Sequence, residues 1–195
     1  INGQQFHQLD AVLILTNEDS LGSYYLYFLE ICATAFFCIA FYLRRKRFYI
    51  FFTTLYLIVF LDDYLQIHEN FGKFLTENFN LTTILSLRQQ DTGELITWFI
   101  MACFLLPLAI YSVRKLNVID KIYCSAVAVS FVILLFCGLV VDMISVSVSD
   151  VWVVRSAIGV IEEGGEIIAI ALTVTLAFAG LKKNYNNKQI FKDQH

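Results

Sequence analysis

Long apolar runs dominate this sequence, and five of them are long enough to cross a lipid bilayer. A transmembrane helix needs ~20 apolar residues at a rise of ~1.5 Å per residue. The runs cover residues 21–43, 48–68, 94–113, 122–147 and 151–181. Charged residues make up only 16% of the chain and there is a single proline, too few for a soluble domain of 195 residues. The sequence predicts an all-α integral membrane protein, a single domain over residues 1–195 built as a bundle of five transmembrane helices.

Lysine and arginine are concentrated at one set of span ends. Of the fourteen, eleven lie between spans one and two, between spans three and four, or after span five: Arg44, Arg45, Lys46, Arg47, Arg114, Lys115, Lys121, Lys182, Lys183, Lys188 and Lys192. The positive-inside rule makes this side cytoplasmic. We therefore expect a multi-pass protein of the plasma or inner membrane, with the N-terminus outside and the C-terminus in the cytoplasm. Because the chain starts at Ile1 and not at Met, the sequence leaves open whether a signal peptide has been removed.

The outer connection, residues 70–93, carries apolar residues among polar ones. This spacing suits a short amphipathic helix lying in the membrane interface, and an ordinary ordered loop is the alternative.

The cysteines all fall within predicted spans, and none forms a CxxC pair. They are Cys32, Cys38, Cys103, Cys124 and Cys137. The pattern indicates neither a disulfide framework nor a zinc ribbon. We expect them to be small packing residues between helices.

Acidic residues reach one depth in several predicted spans. Counted from the basic ends at ~1.5 Å per residue, Glu30, Asp62 and Glu166 lie ~21–24 Å along their helices. A second tier of acids and His68 is expected about one turn higher. An acid in the membrane core costs about 2.5–3.5 kcal/mol, and protonation or pairing with Arg155 would relieve only one or two of them. Such a burden favours a function for the group.

Helical periodicity predicts which of these side chains share a face. At ~100° per residue, Asp62, Gln66 and Glu69 share one stripe of the helix, while Asp63 and Asn70 share the adjacent one. In span five, Gly164 and Gly165 interrupt the acidic run, where the missing side chains allow the close approach of another helix.

The convergence of carboxylates and one histidine predicts a divalent metal site. Helical bundles build carboxylate metal centres from side chains on facing helices. The candidate ligands are Glu30, Asp62, Asp63, His68, Glu69, Glu94, Asp142, Glu162, Glu163 and Glu166. Such ligands suit Ca²⁺, Mg²⁺, Mn²⁺ or Fe²⁺, with Zn²⁺ less favoured because only His68 is well placed for it. Paired ExxH motifs of di-iron bundles are lacking in the sequence.

Other functions remain open at this point. Acids at one depth also suit proton- or cation-coupled transport. The Glu162–Glu163 pair resembles the paired glutamates of membrane-embedded CAAX-type proteases, although the arginine and the later histidines of that pattern are missing. A non-catalytic subunit of a larger membrane complex is a further alternative. The expected partner is the lipid bilayer, with a homo-oligomer or a membrane complex open and no nucleic-acid partner, since nucleotide and nucleic-acid motifs are lacking.

Overall fold

The computed structural model describes residues 21–79, 81, 88–114, 116–147 and 152–192, which are almost entirely helical. In chain order the elements are α1 (Leu21–Arg44), α2 (Arg47–Leu65), α3 (Ile67–Phe79), α4 (Gln89–Val113), α5 (Val118–Leu135), a π-helical segment (Phe136–Val141), α6 (Asp142–Ser147) and α7 (Trp152–Lys192). No β-strand occurs within these ranges. The all-α fold class is therefore confirmed.

Each predicted apolar run corresponds to a helix long and apolar enough to cross a membrane. The five stretches are Leu21–Arg44, Arg47–Leu65, Gln89–Val113, Val118–Ile144 and Ala157–Lys182. They support a membrane protein. The orientation and the single-domain boundaries stay predictions, and the N-terminal residues 1–20 lie outside the described ranges.

The bundle is organised around α1, which packs against α2 and α7. Helix α7 also packs against α5, while α4 lies against α2 and α3. At the α1–α2 contact the Phe37 ring lies 5.2 Å from the ring of Phe52 and 5.6 Å from that of Tyr56, measured between centroids. These rings are buried. Close van der Waals packing of this kind holds helices together where lipid removes the hydrophobic driving force.

A buried layer of hydroxyl groups joins three helices near the middle of the bundle. The hydroxyls of Tyr56 and Thr173 share a hydrogen bond of 2.9 Å, and those of Ser130 and Thr173 share one of 2.7 Å. The Ser130 hydroxyl lies 2.6 Å from the Ala169 carbonyl oxygen, to which it can donate. Each polar group thus has a partner, as burial away from water requires.

Span two is not one continuous helix, so this part of the prediction is wrong. Helix α2 ends at Leu65, and Gln66 adopts a left-handed conformation with φ 51° and ψ 44° before α3 begins at Ile67. The first part of the outer connection is therefore helical, which agrees with the alternative of a short helix and not with that of an ordered loop. Residues 82–87 of that connection lie outside the described ranges.

Two cysteines do not pack between helices. Cys38 and Cys103 are exposed on the bundle surface, whereas Cys137 is buried and Cys32 and Cys124 are half-buried. The packing prediction is wrong for the first two, because a helix within a small bundle turns part of its surface toward lipid.

Replacing Thr173 with valine should destabilise the fold by about 1–2 kcal/mol, because Tyr56 and Ser130 both lose a buried partner. Thr175→Val is the matched control. That exposed hydroxyl bonds only the Ala171 carbonyl one turn back, so its loss should change stability by less than about 0.5 kcal/mol. Thermal unfolding in detergent measures both, and equal effects would contradict the importance of the hydroxyl layer.

Candidate metal centre

The left-handed turn at Gln66 folds His68 back onto Asp62. The His68 backbone N–H donates to Asp62 Oδ1 at 2.8 Å, and His68 Nδ1 lies 2.8 Å from Asp62 Oδ2. In a continuous helix, residues six apart would be separated by about 240° around the axis and ~9 Å along it. The break therefore creates this pair. It also overturns two expectations, a shared stripe for Asp62, Gln66 and Glu69 and a position for His68 one turn above Asp62.

A contact between two glycines holds α3 at this angle. A Cβ at Gly72 would lie 2.8 Å from the Glu94 backbone nitrogen, and one at Gly93 would collide with the Gly72 carbonyl oxygen. The Thr76 hydroxyl adds a hydrogen bond of 3.1 Å to the Gln89 carbonyl. Only glycine permits such close backbone approach. The contact lays α3 along α4 and thereby fixes the direction in which the chain leaves Gln66.

Three ligand-bearing side chains meet at the end of α2. Asp62, Asp63 and His68 each offer a ligand atom, and these atoms lie within 4.8 Å of one another. Glu30 of α1 lies beside Asp63 and is fully buried. Among the described residues, no amide, hydroxyl or cationic group donates to the Glu30 carboxylate, which can share only a proton with Asp63. Since a buried carboxylate without a donor is costly, this site calls for a proton or a cation.

The cluster borders two cavities of about 400 Å³ and 320 Å³ that share much of their lining. Both are lined by Asp63, His68, Glu69, Asp142, Glu162 and Glu166. Glu94 lines only the larger cavity and Glu163 only the smaller one. Glu30 and Asp62 are fully buried and line neither. The structure thus brings all the predicted ligands to the cavities or directly behind their wall, while metal binding itself stays a prediction.

Helix α7 reaches the cavities through a close contact with the π-helical segment. A Cβ at Gly138 would collide with Glu166 Oε1, and one at Gly165 would collide with Cys137 Sγ. The close approach predicted at Gly165 is confirmed. At Gly164 a Cβ would have no atom within 4 Å, so the same prediction is wrong there. π-Helical turns inside α-helices are frequent at functional sites, and this one leaves room for the Glu166 carboxylate.

Sequence reasoning missed the contribution of α4 beyond Glu94. Gln90 and Trp98 lie one turn before and after Glu94, and all three line the larger cavity. Gln90 Nε2 donates to Glu94 Oε1 at 2.8 Å. The Trp98 indole N–H is buried, and no described residue accepts from it. The i, i+4, i+8 spacing of these residues was a signal that could have placed them on one face.

The described cations near the cavities are few. Arg88 lines the larger cavity, but Asp91 holds its guanidinium at 2.7 Å. The side chain of Arg155, proposed from sequence as a partner for the acids, lies outside the described part of the chain. Lys73 pairs with Glu69 at 3.5 Å from an exposed position, whereas His68 can carry positive charge within the cluster itself.

The environment of His68 favours its protonated form. Burial alone would lower the pKa of His68, but the hydrogen bond to Asp62 and the charges of Asp62, Asp63 and Glu94 outweigh it and raise the pKa above 6.5. When protonated, His68 compensates part of the acidic charge of the metal-free protein.

In metal-free protein, the stability that His68 contributes should depend on pH. Because the folded-state pKa is raised, the contribution is fully present below about pH 6.5, the ordinary value, and is lost as pH rises through the raised value. The measurement is the difference in unfolding temperature between the wild type and His68→Gln, in chelator, from pH 5.5 to 9. The difference should shrink toward high pH, and a difference that grows with pH would contradict the ion pair.

The comparisons with known proteins give one match. No curated protein and no solved structure matches the chain. A family model described as "Domain of unknown function (DUF8692)" matches residues 8–179, which include every candidate ligand from Glu30 to Glu166. Because the match covers most of the sequence, the chain belongs to the DUF8692 family.

Proposed function

We propose that this protein binds one divalent metal cation at the cluster of Asp62, Asp63 and His68, at one end of its transmembrane bundle. The observation that carries the proposal is the meeting of three ligand atoms within 4.8 Å. Two carboxylates and an imidazole at this separation can converge on one ion, because metal–oxygen and metal–nitrogen bonds of ~2.0–2.6 Å span such a gap.

The two hydrogen bonds between Asp62 and His68 assign different roles to these residues. Metal-bound histidines generally donate their second ring N–H to a carboxylate, which fixes the tautomer and the ring orientation. Asp62 accepts at both of its oxygens from His68. In our proposal Asp62 therefore orients the ring, and the remaining lone pairs of its carboxylate join the Asp63 carboxylate and His68 Nε2 around the ion. Glu69 and Glu166 line the same cavities and offer further oxygen ligands.

The buried charge around the cluster supports a cation. Glu30 and Asp63 lie side by side, and the donor that Glu30 has among the described residues is a proton shared with Asp63. Like charges at this separation cannot both stay ionised without compensation. A divalent ion lets both carboxylates ionise and links α1 to α2 through them.

The donor set favours Mn²⁺ or Fe²⁺ among the ions that the sequence left open. Carboxylates suit Mg²⁺, Ca²⁺ and Mn²⁺, while imidazole suits Fe²⁺ and Zn²⁺. A site with one histidine and several carboxylates lies between these groups. A cavity of about 400 Å³ also leaves room beside the ion for water or a small ligand, which suits a metal-dependent membrane enzyme as well as a metal-binding subunit.

The interior of the bundle argues for a site over a transport path. Beyond the hydroxyl layer of Tyr56 and Thr173, the core is closed by Phe37, Phe52 and Val127, none more than 3% exposed. Among the described residues, the next charged pair in that direction is Lys46 with Asp120, at the opposite end. A cation would have to cross this apolar layer without ligands, at a high cost in free energy.

Metal addition should raise the unfolding temperature of chelator-treated protein, with Mn²⁺ or Fe²⁺ more effective than Ca²⁺ or Mg²⁺. An ion at ~100 times its Kd stabilises by ~2.7 kcal/mol. Asp63→Asn keeps the shape of the side chain but removes a ligand charge, so it should weaken binding by at least about tenfold. Glu77→Gln is the matched control, because this exposed glutamate lies on α3 away from the cavities. No shift with any ion, together with no metal by elemental analysis, would overturn the proposal.

The turn at Gln66 should control metal affinity from outside the ligand set. Gln66→Val places a β-branched residue at a positive φ, which costs about 1–2 kcal/mol and displaces His68 from Asp62. Gln66→Asn tolerates the same backbone and is the control. Isothermal titration with Mn²⁺ should show weaker binding for the valine variant than for the asparagine variant. Equal affinities would contradict the role of the turn.

A further inference from the structure

A third cavity lies at the opposite end of the bundle from the acidic cluster. Its volume is about 610 Å³, and it is enclosed by the end of α1, the start of α2, the start of α5 and α7. Its polar lining consists of Arg44, Lys46, Tyr49, Asn117, Asp120 and Tyr123. None of these residues takes part in the proposed metal site.

The tight turn between α1 and α2 places the side chains of four consecutive cations in different surroundings. Arg45 adopts a positive φ of 53°, and its guanidinium lies 5.1 Å from the centre of the Tyr42 ring, away from the cavity. Arg47 likewise lies over Tyr111, at 4.6 Å. Arg44 and Lys46, by contrast, both line the cavity. With the left-handed conformation at Arg45, the side chains of Arg44 and Lys46 thus line the cavity, while those of Arg45 and Arg47 do not.

Tyrosine hydroxyls form the inner wall of this cavity. The Tyr123 hydroxyl donates to the Leu176 carbonyl at 3.2 Å, and Arg44 Nη1 donates to the Tyr49 hydroxyl at 3.1 Å. The Tyr123 phenol fits in this position because residue 180 is glycine, whereas the Tyr49 phenol would also accommodate a side chain there. A Cβ there would lie 2.8 Å from the Tyr123 oxygen and 3.5 Å from the Tyr49 oxygen.

The residues that line the cavity carry a net positive charge. Lys46 is paired with Asp120 at 2.6 Å, whereas no described carboxylate pairs with Arg44. Of the five N–H donors of a guanidinium, the Arg44 group uses one on Tyr49 among the described residues. The remaining donors suit the oxygens of a phosphate, which arginine binds through paired hydrogen bonds.

The outer walls of the cavity are apolar and open to the bundle surface. Leu43 and Ile119 line it and are 45% and 63% exposed. They lie at the ends of membrane-spanning stretches, Leu21–Arg44 and Val118–Ile144, which is the depth at which lipid headgroups meet acyl chains. A ligand here would place a charged group against Arg44 and an apolar chain along Leu43 and Ile119.

We propose that this cavity binds the phosphate headgroup of an anionic membrane lipid. Basic pockets between transmembrane helices are a known means of recognising such headgroups. The lipid would complete the coordination of Arg44 and bridge α1, α5 and α7 at the end of the bundle that lacks the metal. Lipid binding here is independent of the metal site.

The test compares delipidated protein in detergent after addition of phosphatidylglycerol or phosphatidylcholine. Phosphatidylglycerol should raise the unfolding temperature more than phosphatidylcholine does, and native mass spectrometry should retain it on the protein. Arg44→Gln should weaken its binding by about tenfold, because a charge-assisted contact is lost. Arg45→Gln is the matched control, since it removes the same charge from the neighbouring position outside the cavity, and it should bind as the wild type does.

A steric variant separates binding from folding. Ala179→Phe fills the cavity from an exposed position without changing charge, so it should fold and yet lose the preference for phosphatidylglycerol. Equal losses in the Arg44 and Arg45 variants, or no preference between the two lipids, would overturn the proposal. Inorganic phosphate that stabilises as well as the lipid at equal concentration would also overturn it in favour of a free phosphate compound.

Discussion

The pairing of His68 with Asp62 is the contact on which the acidic half of the molecule depends. Asp62 is fully buried, and its two oxygens accept from the backbone and ring of His68. A buried carboxylate in a membrane protein is tolerated only with such partners. The pair exists because Gln66 reverses the helical sense for one residue, and the Gly72–Gly93 contact keeps α3 in that direction. Removal of either feature would move His68 away and leave Asp62 without its donors.

The remaining acids are placed by helix packing and not by local turns. Glu30 reaches Asp63 because α1 packs along α2, and Glu166 reaches the cavities because Gly138 and Gly165 let α7 approach the π-helical segment. These contacts bring several carboxylates together at a distance where their charges repel. The folded bundle therefore holds electrostatic free energy that a cation at the cluster would lower. The fold and the ion would then stabilise each other through linkage.

Depth could be predicted from the sequence, whereas lateral contacts could not. A helix rises by a constant ~1.5 Å per residue, so counting from the basic ends sufficed to bring Glu30 and the α2 acids to one level. No comparable regularity in the sequence predicts the helix break at Gln66. The stretch LDDYLQIHE contains neither glycine nor proline, and local propensity favours a continuous helix through it. The turn is determined by the contact of α3 with α4, which joins residues about twenty positions apart. For Trp98 the spacing predicts a face shared with Glu94, but the direction in which that face points depends on how α4 is rotated against α2.

Helix α2 lies between the only two described non-glycine residues with positive φ, Arg45 and Gln66. Its 19 residues rise by about 28 Å, close to the ~30 Å hydrocarbon thickness of a bilayer. Each left-handed residue therefore lies at one end of a helix of membrane-spanning length and changes the direction of the chain there. At one end this brings His68 to the acids, and at the other it directs Arg44 and Lys46 into a cavity. The same left-handed conformation thus occurs at both ends of α2, and the bundle has an acidic site and a basic site separated by an apolar core. Because the sites share α1 and α2 but no side chain, the charge at each end can be neutralised by its own ligand.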